Sequence, residues 1–350
     1  MSRLEVRGIE KHFGGVTALA KADLSIEEGA VCGLLGANGS GKTTLSRIIS
    51  GLYKADGGEM IFNGKKVAFA SSKEAGDAGI AMAHQNLSLV SEMTVWENIC
   101  LGNEKLRGIL IDNSSCIKEA RKLLEMFELS GLKDKKVNEL SPSQKQLVEI
   151  CKAISKKPKL LILDEPTASL EFTQVNMLFD IIGKIKKQGT SVVFISHRMW
   201  EVTQLCDSVV VLRNGETVAS LDLSSIDEKD INRAILRAIT GKDEEAARQA
   251  DADIEKGDTI LEVDGLGVKR TLYDISFSVA QGEIVGISGL QGMGQEELLL
   301  TLSGFMQKSS GEIYYKGKKT KWRSAKRAIR NGVVLVPGDR HQEGLFLDFT

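Results

Sequence analysis

Two short strings carry the chemistry of this sequence. Gly36-Ala37-Asn38-Gly39-Ser40-Gly41-Lys42-Thr43 fits G-x-x-x-x-G-K-[ST], with a strand-like apolar run before it and a helical pattern after it. Glycines there let the backbone wrap a phosphate and turn successive N–H groups inward, and a helix N-terminus adds a favourable dipole. In such a loop Lys42 reaches the β- and γ-phosphates and the Thr43 hydroxyl ligates Mg²⁺. The second string, Leu160-Leu161-Ile162-Leu163-Asp164-Glu165, is an apolar strand ending in adjacent carboxylates. Asp164 suits the shell of the metal, and Glu165 suits a water attacking in phosphoryl transfer. Alone, an Asp-Glu pair is an ordinary solvated strand end. Together with the glycine loop it marks a nucleotide-hydrolysis site.

Those strings need elements to hold them. Val31–Leu35 reads as a buried strand running into the glycine loop, followed by a helix over 42–50, and Leu160–Leu163 and Val192–Ile195 suit central parallel strands. Between Thr94 and Ser155 the pattern is helical, with Leu123, Leu124 and Phe127 on one face and no strand signal. The expected fold class is α/β, a parallel core with an inserted helical segment.

The chain has 350 residues, a length that favours two domains. Lys+Arg is 46 against Asp+Glu 47, a net charge of -1 that argues against duplex nucleic acid or an anionic membrane as a bulk electrostatic partner. The five cysteines are scattered without C-x-x-C spacing, and read as reduced, buried small hydrophobes. The start of the chain lacks an apolar secretory core, and no run is long enough to span a bilayer, so a cytosolic protein is expected.

An internal repeat organises the rest. Leu4-Glu5-Val6 recurs as Leu261-Glu262-Val263; Gly36 and Gly41 then recur as Gly289 and Gly294, and Gly58-Glu59 as Gly311-Glu312. The shift in offset makes the second copy shorter between about residues 9 and 18. The second copy stops where the first still has residues 95–240 to run, so it is expected to be incomplete, truncated within its span. The charged stretch between the copies reads as a tether, or as a short solvated helix.

On these residues the chain resembles the ATP-binding cassette ATPases, the motor subunits of ABC transporters. Residues 1–240 resemble a complete cassette, 241–257 a charged linker, and 258–350 the opening part of a second, degenerate cassette. The resemblance implies a duplicated P-loop NTPase fold: a RecA-like parallel sheet with an antiparallel β subdomain and an inserted helical subdomain. It implies ATP and Mg²⁺ as ligands, with nucleotide contacts from Phe13, Gly36, Asn38, Gly39, Ser40, Gly41, Lys42, Thr43 and Thr44. Phe13 matches the aromatic that stacks on adenine, although its pattern alone reads as a core residue. Gln85 matches the glutamine that contacts metal and water, joining Thr43 and Asp164 at the metal. His197 matches the switch histidine at the γ-phosphate, so that Glu165, His197 and Gln85 form the implied catalytic set.

The family's L-S-G-G-Q loop, which contacts ATP on the opposite cassette, stands here as Leu140-Ser141-Pro142-Ser143-Gln144. Ser141, Ser143 and Gln144 are the implied contacts. Ser141 and Pro142 also suit a plain helix start, and Ser143 puts a side chain where glycine lets the backbone approach phosphate. In the second copy Gly289 and Gly294 remain, but Gln295 replaces the lysine and Glu296 the Ser/Thr. A lost cation and an added carboxylate weaken triphosphate binding. Because cassettes pair head-to-tail, the altered loop at Ser143 would face the altered one at Gln295. One competent and one degenerate ATP site are therefore expected in the full-length protein.

Tandem cassettes of this kind, with the strings Ser196-His197-Arg198-Met199, Glu201-Val202 and Asp339-Arg340-His341-Gln342-Glu343-Gly344-Leu345, resemble the ATPases of bacterial monosaccharide importers. The implied partners are membrane permease subunits and, indirectly, a solute-binding protein, with no nucleic acid. The implied location is peripheral, on the cytoplasmic face of the membrane. Thr94-Val95-Trp96-Glu97-Asn98-Ile99 opens the segment that docks the permease in the family, and Trp96 serves equally as a core anchor. A tandem-cassette factor acting on ribosomes or nucleic acid, and a nucleotide-gated binding subunit with little turnover, share the same motifs.

Overall fold

Five consecutive residues with no exposed position can form a strand only if both faces of the sheet are covered. Val31–Leu35 and Ser191–Ile195 meet that condition, as does Leu160–Asp164 with its terminal acid. The structure, a computed structural model, describes residues 2–85, 87–107, 110–241, 257–268, 271–289, 293–320, 324–338 and 344. The chain divides into two units, Met1–Glu244 and Glu245–Thr350. Most of the proposed linker, residues 242–256, lies outside the described residues, as do Asp339–Glu343 and Leu345 of the string quoted above.

The first unit begins with a long antiparallel hairpin, β1 (Ser2–Phe13) and β2 (Val16–Glu27), followed by β3 (Val31–Leu35), α1 (Lys42–Ile49), β4 (Gly57–Phe62), β5 (Lys65–Val67), α2 (Ser72–Ala78) and β6 (Ile80–Ala83). A helical segment follows: α3 (Val95–Cys100), the small hairpin β7 (Leu106–Arg107) and β8 (Leu110–Ile111), α4 (Asn113–Met126) and α5 (Pro142–Ser155). The chain then returns to the sheet through β9 (Leu160–Asp164), α6 (Phe172–Lys187), β10 (Ser191–Ile195), α7 (Met199–Leu205), β11 (Ser208–Arg213), β12 (Glu216–Asp222) and α8 (Glu228–Thr240). The β7–β8 hairpin corrects the strand-free reading of residues 94–155. Its four residues are all exposed, so they left no burial pattern to detect.

The sheet runs β5-β4-β1-β2-β12-β11-β3-β10-β9-β6. Its half from β11 to β6 is parallel, and the β1, β2, β4, β5 half is antiparallel. Alternate residues of the central strands feed two cores. Leu161, Leu163, Val192 and Phe194 pack with the helical segment, and Leu160, Ile162, Val193 and Ile195 pack with the hairpin half and α1. This is the strand period of two with both faces covered.

Register places the ends of four strands level. Leu34 pairs with Ile195, Ile195 with Asp164, and Ala83 with Leu163. The glycine loop, Glu165, His197 and Gln85 therefore all leave the carboxyl edge of one parallel sheet, where open α/β sheets place their ligands.

The second unit contains β13 (Thr259–Val268), β14 (Leu272–Ala280), α9 (Gln295–Leu302), β15 (Ser310–Tyr315), β16 (Lys318–Lys319) and α10 (Ala325–Arg330). Its sheet, β14-β13-β15-β16, repeats the antiparallel half of the first unit: Leu4 faces Phe62 there, and Leu261 faces Tyr315 here. The counterpart of β3 forms no ladder among the described residues, and Ile284 within it is 98% exposed. All five cysteines are free and buried, as the composition suggested.

Truncating Phe194, fully buried in β10, is expected to cost roughly 3–5 kcal/mol. Ile284→Ala in the same chain should stay within about 0.5 kcal/mol. Urea unfolding of both variants checks the contrast.

Candidate nucleotide site

Two glycines make the bend at the end of β3 possible. Gly36 has φ +151° and Gly41 φ +103°. A Cβ on Gly36 would lie 2.2 Å from the Leu212 carbonyl oxygen, and one on Gly41 would lie 2.5 Å from Leu19 Cδ2. The loop is anchored below by the Gly215 N–H, which donates to the Ser40 carbonyl at 3.1 Å. Above, Ala37, Asn38 and Gly39 are exposed, and a Cβ on Gly39 would meet nothing within 4 Å. No side chain caps α1, so its first-turn amides remain available to an anion.

Lys42 folds back over this bend. Its buried ammonium donates to the Gly36 carbonyl at 2.8 Å and the Ala37 carbonyl at 3.0 Å. Burial lowers its pKa, opposed by the negative charges of Glu165 and Asp164. The Ser40 hydroxyl is buried without a hydrogen-bond partner. An open bend of amides, a lysine without a full anionic partner and an orphaned hydroxyl together fit a polyphosphate. Thr43 and Thr44 follow in the first turn of α1, both partly exposed.

Across the sheet edge, Asp164 is buried at the end of β9, and its pKa rises to about 6. Burial is the larger cause and the Glu165 charge the next, with Arg47 and Lys42 acting the other way. Glu165 takes a left-handed backbone, φ +48°, while its N–H donates to the Ile195 carbonyl at 3.0 Å. Two side chains converge on its carboxylate. Gln85 Nε2 donates to Oε2 at 3.1 Å, and His197 Nδ1 lies 3.6 Å from Oε1. The structure thus brings Lys42, Asp164, Glu165, Gln85 and His197 to one edge.

Among the described residues no group of three or more His, Cys, Asp or Glu could hold a metal ion. The oxygen donors at this edge are the Thr43 hydroxyl, the Asp164 carboxylate and the Gln85 amide oxygen, which suit a hard divalent cation sharing its shell with phosphate.

Phe13 is 43% exposed and does not join the core that its pattern suggested. Tyr53 supports it edge-on at 5.3 Å, and the Lys11 ammonium lies 5.4 Å from the ring centre. Arg47 holds Tyr53 by a 3.0 Å hydrogen bond to its hydroxyl. Both supports escaped the sequence reading, whose only available signal was their position in and just after the helix that follows the glycine loop. Trp96 is partly buried against the helical core.

Ser141, Ser143 and Gln144 stand apart, at the start of α5. Ser141 accepts from the Gln144 N–H at 3.3 Å, the Gln144 side chain caps in return, and the two serine hydroxyls are 3.1 Å apart. In the second unit Gly294 caps α9 with φ +101°, and the Gln295 amide nitrogen would lie 2.3 Å from a Cβ on Gly289. Glu296 and Glu297 place negative charge in that helix's first turn.

Residues 19–168 and 272–346 match the ABC transporter family. The chain is 40% identical over 349 residues to the ribose import ATP-binding protein RbsA of Clostridium tetani, covering 99% of this chain and 68% of that protein. This chain belongs to the ABC transporter ATP-binding family. A second ABC relative, the galactose/methyl galactoside import ATP-binding protein MglA of Salmonella typhimurium, is 39% identical over 346 residues, covering 98% of this chain and 67% of its own length. An ATP-binding cassette of an ABC transporter, solved in its ADP conformation, superposes with a TM-score of 0.59 at 32% identity, covering 67% of this chain and 95% of that one. The chain therefore spans about two thirds of the length of these curated relatives, and the fold is that of an ABC ATPase.

The raised pKa of Asp164 sets a pH dependence with a definite sign. The folded state holds that proton up to about pH 6, against about 3.9 in an unfolded chain. The stability associated with the held proton is thus present at low pH and lost as pH rises through 6. Asp164→Asn is expected to raise the melting temperature of the nucleotide-free chain at pH 8, with the gain shrinking towards pH 5, in thermal scans at both values.

Proposed function

We propose that this chain hydrolyses ATP at its first cassette and couples that hydrolysis to import of a small sugar through partner membrane permeases. The convergence of Gln85 and His197 on the Glu165 carboxylate, beside Lys42, is the observation that carries the reading. The names of the relatives, import ATP-binding proteins for ribose and for galactose, supply the transport half.

In this mechanism the amides of residues 37–43 and the Lys42 ammonium hold the β- and γ-phosphates, with Asn38, Gly39, Ser40 and Thr44 closing the contact. Phe13, propped by Tyr53, offers its exposed face to adenine. Glu165 accepts a proton from water as the water oxygen attacks the γ-phosphorus and the bond to the leaving ADP oxygen breaks. Gln85 orients that carboxylate, and His197 contacts the γ-phosphate. Mg²⁺, when bound by Thr43, Asp164 and Gln85, supplies neutralisation of phosphate charge.

Ser141, Ser143 and Gln144 contact a nucleotide on an opposing cassette. The second unit, with Gln295 and Glu296 opening the helix after its glycine loop, forms a degenerate site, because acidic residues in that first turn repel a phosphate. Residues 1–240, 241–257 and 258–350 serve as first cassette, linker and second cassette. No helix among the described residues is long and apolar enough to cross a membrane. The subunit sits on the cytoplasmic face of the membrane through its permease.

Glu165→Gln is expected to keep Mg-ATP binding within about threefold while lowering hydrolysis by 10² or more, roughly the weight of a general base. Lys42→Ala should instead raise the Kd for Mg-ATP by about 100-fold, close to 2.8 kcal/mol. Fluorescent-nucleotide titration and phosphate release on both variants test the proposal. Tight binding by Lys42→Ala would refute it.

A further inference from the structure

A carboxylate withdrawn wholly from water is costly unless its oxygens are occupied by donors. Glu201, in the first turn of α7, is fully buried. Its Oε2 accepts from the Ser196 hydroxyl at 2.5 Å and the Thr167 hydroxyl at 2.9 Å, and its Oε1 accepts from Arg198 Nη1 at 3.3 Å. Both hydroxyl-bearing residues are themselves buried. The Ser196 hydroxyl also accepts from the Arg198 N–H at 3.0 Å, which tightens the turn that carries His197.

These donors come from the two loops that present the reacting groups. Thr167 stands two residues after Glu165, and Ser196 directly precedes His197. Glu165 is held in a left-handed conformation, which persists only where its surroundings enforce it. The hydrogen bond from the Glu165 N–H to Ile195 secures one side of that residue, and the bond from Thr167 to Glu201 secures the loop on the other. An apolar side chain would fill this space more cheaply than a carboxylate. The carboxylate adds a single acceptor oxygen shared by two loops.

We propose that Glu201 is a positioning residue that clamps the loop after Glu165 to the loop bearing His197, fixing the approach of His197 to Glu165. The inference rests on the assignment of hydrolysis to Glu165 and His197. Glu201 is fully buried and acts through the Glu165 and His197 side chains.

The test compares Glu201→Ala and Glu201→Gln, in the full chain assembled with its permease partners, by steady-state ATP hydrolysis, fluorescent-nucleotide binding and a crystal structure of the alanine variant. Glu201→Ala is expected to lower kcat by roughly 10²-fold, the scale of a misplacement near 1 Å, with KM and nucleotide Kd changed less than about threefold. Glu201→Gln keeps an oxygen for both hydroxyls and should recover most of the loss. In a His197→Ala background the alanine change should cost little more, because two residues acting as a unit are not additive. The structure should show Thr167 and Ser196 separated and His197 withdrawn from Glu165. Unmoved loops with the 3.6 Å approach retained would overturn the proposal. A kcat loss that multiplies fully with His197→Ala, or that follows a matching loss of nucleotide affinity, would also overturn it. If the wild-type assembly binds ATP without hydrolysing it while the loops part in the variant, the clamp stands and the catalytic reading of Glu165 fails.

Discussion

An ammonium taken out of water must be held by something negative, and Lys42 is held by very little. Two loop carbonyls accept its protons, and the nearby negative charges sit on another strand's end. A carbonyl dipole is a weak substitute for a charge-assisted pair. That shortfall is what a polyphosphate can relieve, and the rest of the first unit can be read as the apparatus that sustains it. Gly36 and Gly41 permit the bend, Leu212 and Leu19 crowd it into shape, and α1 leaves its amides uncapped behind it.

The second constraint is register. Parallel strands paired in step deliver their C-terminal loops to one edge, so groups separated by over a hundred residues in sequence become neighbours. Glu165 sits between Gln85 and His197 for this reason, with β9 lying between β6 and β10. Both faces of the central strands are buried, and alternate side chains commit to different cores. A slip by one residue would exchange those cores as well as misplace the loops. The second unit shows the contrast. It repeats the antiparallel half of the sheet and the start of the glycine loop, while its β3 counterpart forms no ladder among the described residues.

The glycine loop and the Asp164-Glu165 pair were legible in the sequence because their chemistry is contiguous: type, spacing and flanking strand all lie within about ten residues. The central strands were equally plain, since a short run buried on both faces leaves no polar residue to confuse the period. Gln85 and His197 are single polar residues at strand ends. Nothing local distinguishes them from solvated positions, and they were reached only through the resemblance. Glu201 was legible merely as part of a string, because burial of a carboxylate is a tertiary fact that composition does not report. Phe13 reads as core by its type alone and as an adenine-stacking residue only through the resemblance, and it lies partly exposed against Tyr53. The β7–β8 hairpin left no trace because all four of its residues face solvent.

The most direct test of the central claim is a crystal structure of the chain with Mg²⁺ and a non-hydrolysable ATP analogue. The account predicts the triphosphate seated on the amides of residues 37–43, with Lys42 turned from the Gly36 and Ala37 carbonyls to the phosphate oxygens. An analogue bound elsewhere, with Lys42 still folded on those carbonyls and the bend vacant, would contradict it.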